Sequence, residues 1–541
     1  MQFRFNRKRE WASAAQRSVC MACRAMVASS QPLASLSGCR VLAAGGNAVD
    51  AAVAMAATLC AVEPYSVGIG GDSFALFAFD HGRRLVGMNG SGRAPRKATL
   101  AGMRAAGHTR MPTTGMLSVT VPGALRSWSD ALQRYGRLTL GDVLQDAIRY
   151  AAEGVPVSEV IAGEWGEAAG LLAAHESSAR TFLPKGQAPR PGQVFQNPDL
   201  AESLRKIAAG GAQVFYGGEI GEAVAAFSAQ NGGLLDLADL TEHRTTWVDP
   251  ITLDYRGYTV CELPPNGQGV TALEILNILQ GYELSSLGHN SAEYLHRLIE
   301  AVKIAFSNRD RYVTDPGFEK VPVARMLSSA YGRRCRQRIR PDAAMAPPPP
   351  GFAFASSETV YLAAMDADGN AASFVSSIFT PFGSGMVVTG TGIALQNRAS
   401  AFSLDPAHPN RLAPAKRPLH TIIPGMLLED GSALMAFGVM GGDMQPQGHV
   451  QLLCNLIDFG LNPQEAVDAP RVRRLEGRTV YCEEGVAPAV VERLERLGHV
   501  IDPSATPVNK VGGAQLVYRN PRSGVLWGAS DRRKDGCAIG F

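Results

Sequence analysis

The 541-residue sequence has no long apolar run. The longest charge-free apolar stretch inside a patterned segment, Ala51 to Val62, has twelve residues between Asp50 and Glu63. A membrane-spanning helix needs about 20, so no transmembrane helix is predicted. The sequence also lacks an excess of one charge. Its 52 Lys and Arg stand against 49 Asp and Glu, a net +3, so no global field draws the chain to nucleic acid or to an anionic membrane surface. The basic start (Arg4, Arg7, Lys8, Arg9) lacks the apolar core of a secretory signal, because Arg17 and Arg24 interrupt the candidate stretch, and a cytoplasmic location is expected. The nine cysteines are odd in number and scattered through apolar patterns, which predicts buried thiols rather than a disulfide framework. Cys20-x-x-Cys23 has no second pair and no nearby histidine, so no zinc site is expected. Gly68-Ile69-Gly70-Gly71-Asp72 has neither a P-loop Lys-Ser/Thr nor a Gly-x-Gly-x-x-Gly register, and phosphate binding is not expected there. Gly383-Ser384-Gly385 is not the Gly-x-Ser-x-Gly of a nucleophile elbow.

What is present is a turn-rich globular composition, 46% apolar with 58 glycines and 33 prolines. At about 150 residues per domain the length allows three or four units, or one large layered domain. Asn47 before Ala48 to Ala54, with Asp50 three residues on, predicts a capped helix start. That helix is apolar nearly all round and so should be buried. Phe74 to Phe79 reads as a buried strand. Three-to-four spacing of apolar residues predicts helices over Leu140 to Gly154, Glu202 to Gly210, Gly218 to Asn231, Gly269 to Gly281 and Ser291 to Asp310, with a strand pair near Ile251 to Cys261. Pro341 to Ala355, with Pro347-Pro348-Pro349-Pro350, predicts an exposed, extended linker. After it Thr359 to Ala364 and Ala371 to Ser376 read as two strands around the turn Asp366 to Asn370. Further helices are expected at Val450 to Phe459 and Pro488 to Leu497.

The linker delivers the chain to Ser356-Ser357-Glu358-Thr359-Val360. The run Thr359 to Asn370 resembles the start of the small subunit in the gamma-glutamyltranspeptidase family of N-terminal nucleophile hydrolases. The resemblance continues through Met26 to Ser35, Gly45 to Ala54, Val121-Pro122-Gly123, Pro264 to Gly269, Phe382 to Gly385, Lys416-Arg417-Pro418-Leu419 and Gly441-Gly442, in the family's order. It implies an α+β fold, the four-layer αββα sandwich of two mixed or antiparallel sheets covered by helices, with Thr359 at the end of a central strand. It also implies a large subunit of residues 1–358, ending in the exposed linker 341–358, and a small catalytic subunit of residues 359–541. The two would form a heterodimer cut from one precursor, with a dimer of such pairs as a further expectation.

A threonine hydroxyl is a poor nucleophile near neutral pH until a base takes its proton, and a free α-amino group, with a reference pKa of about 8, is a base within the same residue. The resemblance therefore implies self-cleavage between Glu358 and Thr359, in which the Thr359 hydroxyl attacks the Glu358 carbonyl and water releases the new N-terminus. It implies no metal and no organic cofactor. Ser377 falls where the family has a second hydroxyl that positions the nucleophile. Gly441 and Gly442 match the pair whose N–H groups form the oxyanion hole, where one such donor is typically worth about 3 kcal/mol in other hydrolases. His420 and Thr421 fall where transpeptidases carry two serines near the substrate; His420 is a substrate contact or a packed histidine.

Other positions depart from the family pattern. The arginine that pairs with the substrate α-carboxylate is replaced by Ser91, with Arg93 displaced by two residues, a shift that keeps the same face of an extended segment. The asparagine and aspartate that hold the substrate α-amino group are replaced at Phe379 and Ala401. A buried ammonium without its countercharge is costly, so the expected substrate is a small acidic amide, oxamate being one candidate, whose carboxylate meets Arg93 or Arg398. The competing readings are a gamma-glutamyl hydrolase or transpeptidase acting on glutathione and a catalytically silent member.

Overall fold

Successive side chains of the strand Asp72–Phe79 enter two different cores. Phe74, Leu76 and Ala78 join Met26, Tyr361, Met426 and Val517 in one cluster, while Ala75, Phe77 and Phe79 join Val53, Leu59, Trp128 and Phe374 in another. The period of two, with every position of the strand buried, is that of a sheet covered on both faces. The structure is a computed structural model, and it describes residues 1, 17–346, 358–504 and 511–541. The basic start Arg4 to Arg9, the run Pro347 to Pro350 and Ser356-Ser357 lie outside the described residues.

The strands of the two large sheets are β1 (Cys20–Ala22), β2 (Met26–Ser29), β3 (Asp72–Phe79), β4 (Arg84–Asn89), β5 (Thr246–Val248), β6 (Ile251–Tyr255), β7 (Tyr258–Glu262), β8 (Glu358–Met365), β9 (Ala371–Phe379), β10 (Gly425–Glu429), β11 (Ser432–Val439), β12 (Ala514–Arg519), β13 (Leu526–Ser530) and β14 (Cys537–Gly540). One seven-stranded antiparallel sheet has the order β14-β2-β8-β9-β3-β4-β5, and the other β1-β13-β12-β11-β10-β7-β6. Their facing sides share the cluster of Met26, Phe74, Tyr361, Cys261, Met426 and Ala436. The outer face of the first sheet is covered by α1 (Pro32–Ala43), α2 (Ala48–Val62), α3 (Ala124–Tyr135) and α4 (Gln145–Glu153). The outer face of the second is covered by α5 (Gly269–Leu279), α6 (Ala292–Tyr312) and α7 (Met444–Ile457). This is the four-layer αββα arrangement. Each sheet takes strands from both sides of the segment 347–357, so the boundary at residue 358 is not a domain boundary, and a cut there leaves two interleaved pieces.

All fifteen residues of α2 are buried, and the capping box is formed: the Asn47 side chain accepts from the Val49 and Asp50 N–H groups, and Asp50 accepts from the Asn47 N–H. Asp50 also accepts from the N–H groups of Arg137 and Leu138 at 3.0 and 3.2 Å, which ties the helix start to a distant loop. Some elements differ from their sequence expectation. The segment Leu140 to Gly154 forms two helices, Leu140–Val143 and Gln145–Glu153. The helix expected at Val450 begins at Met444, since Pro446 falls in its first turn, where a missing N–H costs nothing. In its described part the linker is exposed at Pro341, Asp342 and Ala346 but tied down between them: the Ala344 N–H donates to the Leu497 carbonyl and the Met345 N–H donates to Glu300, while Glu358 is buried in β8. Of the nine free thiols four are buried, four are half-buried and Cys23 is exposed, so burial explains only part of the cysteine usage.

Because Asp50 serves three backbone donors in a dry setting, Asp50→Ala should destabilise the fold by about 2–3 kcal/mol, more than the roughly 1 kcal/mol of an isolated cap lost in Asn47→Ala. Urea unfolding of the two variants beside the wild type tests the order; equal losses would contradict it.

Candidate active site

Strands β8 and β9 pair with Glu358 opposite Phe379, and the register shifts between Glu358 and Val360. Thr359 therefore sits on a bulge at the start of an interior strand, a distortion that re-aims a side chain out of the regular pleat. Its Oγ1 donates to Ser377 Oγ at 3.2 Å. Ser377 Oγ donates to the Glu358 carbonyl at 2.8 Å and accepts from the Phe379 N–H at 2.8 Å and from Arg398 Nη2 at 3.1 Å. Across the next ladder Ser377 lies opposite Asp72 on β3. The adjoining Gly71 packs so closely that a Cβ there would lie 2.4 Å from the Ser377 carbonyl oxygen.

Arg398 is fully buried. Its Nη1 donates to Thr421 Oγ1 at 2.9 Å, its Cζ lies 4.0 Å from the centroid of the Phe379 ring, and its Nε is buried without a hydrogen-bond partner. Among the described residues no carboxylate lies within ion-pair distance of it. Burial pushes this guanidinium down to about 9, with Asp72 opposing the shift. Asp72 is occupied instead by His420 Nε2 at 3.0 Å and by the Gly92 N–H at 2.9 Å. Burial and the nearby Arg398 push His420 down to about 4, so it is neutral near pH 7. With Nε2–H donating to Asp72, Nδ1 is left to accept from the Ile422 N–H at 3.4 Å. The Phe74 ring packs against it, tilted by 37° with the centroids 4.7 Å apart.

From Thr421 the network continues to the glycine pair. Gln268 Nε2 donates to the Thr421 and Gly442 carbonyls at 2.7 and 3.0 Å, and its Oε1 accepts from Arg309 Nη1 at 2.9 Å. Arg309 is also ion-paired with Asp443, the residue after Gly442. Gly441 and Gly442 have φ of +113° and +57°, backbone that side chains rarely adopt. Their carbonyls accept from the Met444 and Gln445 N–H groups at the start of α7, while their own N–H groups meet no acceptor among the described residues. Thr359, Ser377, Arg398, Thr421, Gln268 and Gly442 thus form one hydrogen-bonded chain.

The structure brings together Thr359, Glu358, Ser377, Phe379, Arg398, Thr421 and, through Gln268, Gly442. His420 joins through Asp72 as a packed, neutral ring. Arg93 does not join: it is 43% exposed, with Nη1 on the Ala415 carbonyl at 2.9 Å and on Asp315 at 3.4 Å. The displacement by two residues does not keep its direction: residues 90–95 form no regular strand, and the Gly92 N–H is bonded to Asp72. Ser91 faces inward to Asn89 and Asn266. The Arg417 side chain lies beside it, with Nε on the Ser91 carbonyl at 3.0 Å and the guanidinium pushed by burial to about 10. Gln268 lies inside the stretch Pro264 to Gly269 that carries the family resemblance and Asp72 ends the glycine loop Gly68 to Asp72, but a charge before an apolar strand and a glutamine in a loop show no role by themselves. Among the described residues one group, His296, Glu300 and His499, gathers metal-ligand side chains. Lys303 already supplies the positive charge there, at 2.6 Å from Glu300.

A four-layer sandwich with a buried threonine at the start of an interior strand, joined by hydrogen bonds to Gly442 of a positive-φ glycine pair, is the architecture of the N-terminal nucleophile hydrolases. The family model described as gamma-glutamyltranspeptidase matches residues 34–541, and the chain belongs to that family. It is 38% identical over 524 residues to "Glutathione hydrolase-like YwrD proenzyme" of Bacillus subtilis, covering 95% of this chain and 98% of that one. It is 36% identical to "Oxamate amidohydrolase proenzyme" of Klebsiella pneumoniae over 522 residues, covering 94% and 97%. Cephalosporin acylase from Bacillus halodurans has the same fold, with a TM-score of 0.93, 43% identity and 99% coverage of both chains. The protein is an enzyme of this hydrolase family. No helix among the described residues is long and apolar enough to cross a membrane.

The neutral His420 makes stability depend on pH. Between its native value of about 4 and its ordinary 6.5 the unfolded chain binds a proton that the native chain does not, so stability falls as the pH falls through that window. From pH 6.5 to about 5 the loss is about 2 kcal/mol for this group. His420→Gln, which keeps a donor for Asp72, should lose about that much less than the wild type when unfolding is compared at the two pH values; equal losses would count against a neutral buried His420.

Proposed function

We propose that the chain cuts itself between Glu358 and Thr359 into residues 1–358 and 359–541, and that Thr359 then hydrolyses short amides whose acyl part ends in a carboxylate. The free Thr359 amine takes the proton from Oγ1, and Oγ1 attacks the substrate carbonyl. Ser377 holds the hydroxyl in place, and the N–H groups of Gly441 and Gly442 receive the developing oxyanion. The amine returns the proton to the leaving nitrogen, ammonia or an amine departs, and water hydrolyses the Thr359 ester. Departure of Glu358 from β8 uncovers Thr359, which is fully buried in the continuous chain.

The observation that carries the substrate class is Arg398, a buried guanidinium one hydroxyl away from Thr359 with no carboxylate partner in contact. A buried cation is costly unless paired, and a substrate carboxylate supplies the missing partner. Phe379 and Ala401 offer no acid to hold a substrate ammonium, which favours an oxamate-like amide over a gamma-glutamyl one. The similarity to the glutathione hydrolase-like relative supports gamma-glutamyl amides as a second reading. The positions of Thr359, Ser377 and Gly442 in one hydrogen-bonded chain, with Gly441 adjoining, weigh against a silent scaffold.

Denatured intact masses of the wild type and of Thr359→Ala should show two chains and one chain, respectively; a single chain in both would end the nucleophile assignment. With cut enzyme, oxamate or a related half-amide should be hydrolysed, and glutamate release from a gamma-glutamyl anilide should be slower. The reverse ranking would favour the second reading. Arg398→Met should lower kcat/KM for the carboxylate-bearing amide about 30-fold, corresponding to about 2 kcal/mol for a charge-assisted contact, and should leave a neutral amide less affected. A loss equal for both amides would remove Arg398 from the binding role.

A further inference from the structure

The residue before Thr359 is held at its side chain as well as at its backbone. Glu358 is buried, and its Oε2 accepts from Lys534 Nζ at 3.2 Å. Lys534 is buried too, and its ammonium also reaches the Tyr65 hydroxyl at 3.2 Å. Burial works against that charge, but Glu358, Tyr65, Glu164 and Glu63 outweigh it and hold the ammonium protonated. The same cluster is tied to the end of β9: the Phe382 N–H donates to the Tyr65 carbonyl at 2.9 Å and the Ile378 N–H to the Ser66 carbonyl at 3.1 Å. On the other side of the Glu358 Cα, its carbonyl accepts from Ser377 Oγ at 2.8 Å. Two holds, one on each side of a single Cα, remove most of the freedom of the peptide group between Glu358 and Thr359. An attack geometry displaced by about 1 Å can cost on the order of 100-fold in rate.

We infer that Lys534 is a positioning residue for self-cleavage, which anchors the Glu358 carboxylate so that the Glu358 carbonyl carbon is presented to Thr359 Oγ1. This rests on the cleavage reading above. In the step served, Thr359 Oγ1 gives up its proton and bonds to the Glu358 carbonyl carbon. The bond from that carbon to the Thr359 nitrogen breaks, the nitrogen takes the proton, and an ester remains. Water then splits the ester, leaving an α-carboxylate on Glu358 and a free hydroxyl and amine on Thr359. Lys534 forms no covalent bond, and of the two residues that flank the cut it touches only Glu358, at its side chain.

The full-length chain, followed by denatured intact mass over time after synthesis, tests the assignment. Lys534→Met should slow cutting by about 10- to 100-fold, and Lys534→Arg should restore most of the rate. The apolar pair Glu358→Leu with Lys534→Met leaves no unpaired buried charge and so separates folding from positioning; it should melt near the wild type and still cut slowly. A wild-type rate in that double variant, or in Lys534→Met alone, would overturn the assignment, because the ion pair would then only neutralise itself. If Lys534→Met does not fold, the near-isosteric Glu358→Gln decides: slowed cutting supports the anchor and an unchanged rate overturns it. A wild type that stays a single chain overturns the cleavage reading itself and this assignment with it, whereas a cut wild type beside fast-cutting variants overturns the anchor alone.

Discussion

Everything at the site depends on one hydroxyl, Ser377 Oγ. It donates to the Glu358 carbonyl and is approached by three donors, the Phe379 N–H, Arg398 Nη2 and Thr359 Oγ1. A serine oxygen has two lone pairs, so the three donors compete. The Thr359 contact, at 3.2 Å, is the longest of the four. The Thr359 hydroxyl proton is therefore the least firmly held in the cluster, while the Glu358 carbonyl and the Phe379 N–H are held by the shorter contacts. Ser377 can do this because it lies at the end of β9, the middle strand of its sheet, with β8 on one side and Asp72 of β3 on the other.

The same placement explains why so much charge can be buried nearby. Arg398, Asp72, Glu358 and Lys534 are all withdrawn from water between two sheets and their loops. Three of them are paired: Lys534 with Glu358, and Asp72 with His420 and the Gly92 N–H. Among the described residues Arg398 has only neutral groups and the face of Phe379. A chain that buries a cation in this way either loses stability or reserves the position for an anion, and the nearness of Thr359 to Ser377 makes a substrate anion the economical reading.

Interleaving of the strands gives the fold a second property. β8, β9 and β14 share one sheet with β2 to β5, and β10 to β13 share the other with β1, β6 and β7. Cutting the chain before Thr359 would break one covalent bond and, as Glu358 leaves, its pairing with Phe379, but none of the other ladders that hold the two pieces together. The buried inter-sheet cluster draws on both pieces in the same way, with Phe74 and Cys261 from one and Tyr361 and Met426 from the other. Such a cut would release a chain end without dismantling the core.

The sequence by itself determined the local elements and the parts of the site that sit in contiguous motifs. The capped, all-buried helix α2, the strand Phe74 to Phe79, the hairpin of β8 and β9, and the family motifs with Thr359, Ser377 and Gly441-Gly442 were legible because their signals are short-range: a cap three residues from its partner, a period of two, a run of identities. Only the tertiary structure decided which charges meet. Asp72 and His420 are 348 residues apart in sequence, and Glu358 and Lys534 are 176 apart. Lys534 stands in the charged run Asp531-Arg532-Arg533-Lys534, and nothing in that run marks one of its charges as buried. Arg93 and Arg398 were equal candidates in sequence, and packing separated them: Arg93 lies at the surface with Asp315, while Arg398 is enclosed beside Phe379. Periodicity reports which face of an element is dry, but the pairing of buried charges depends on which loops the two sheets bring together, and no local pattern encodes that.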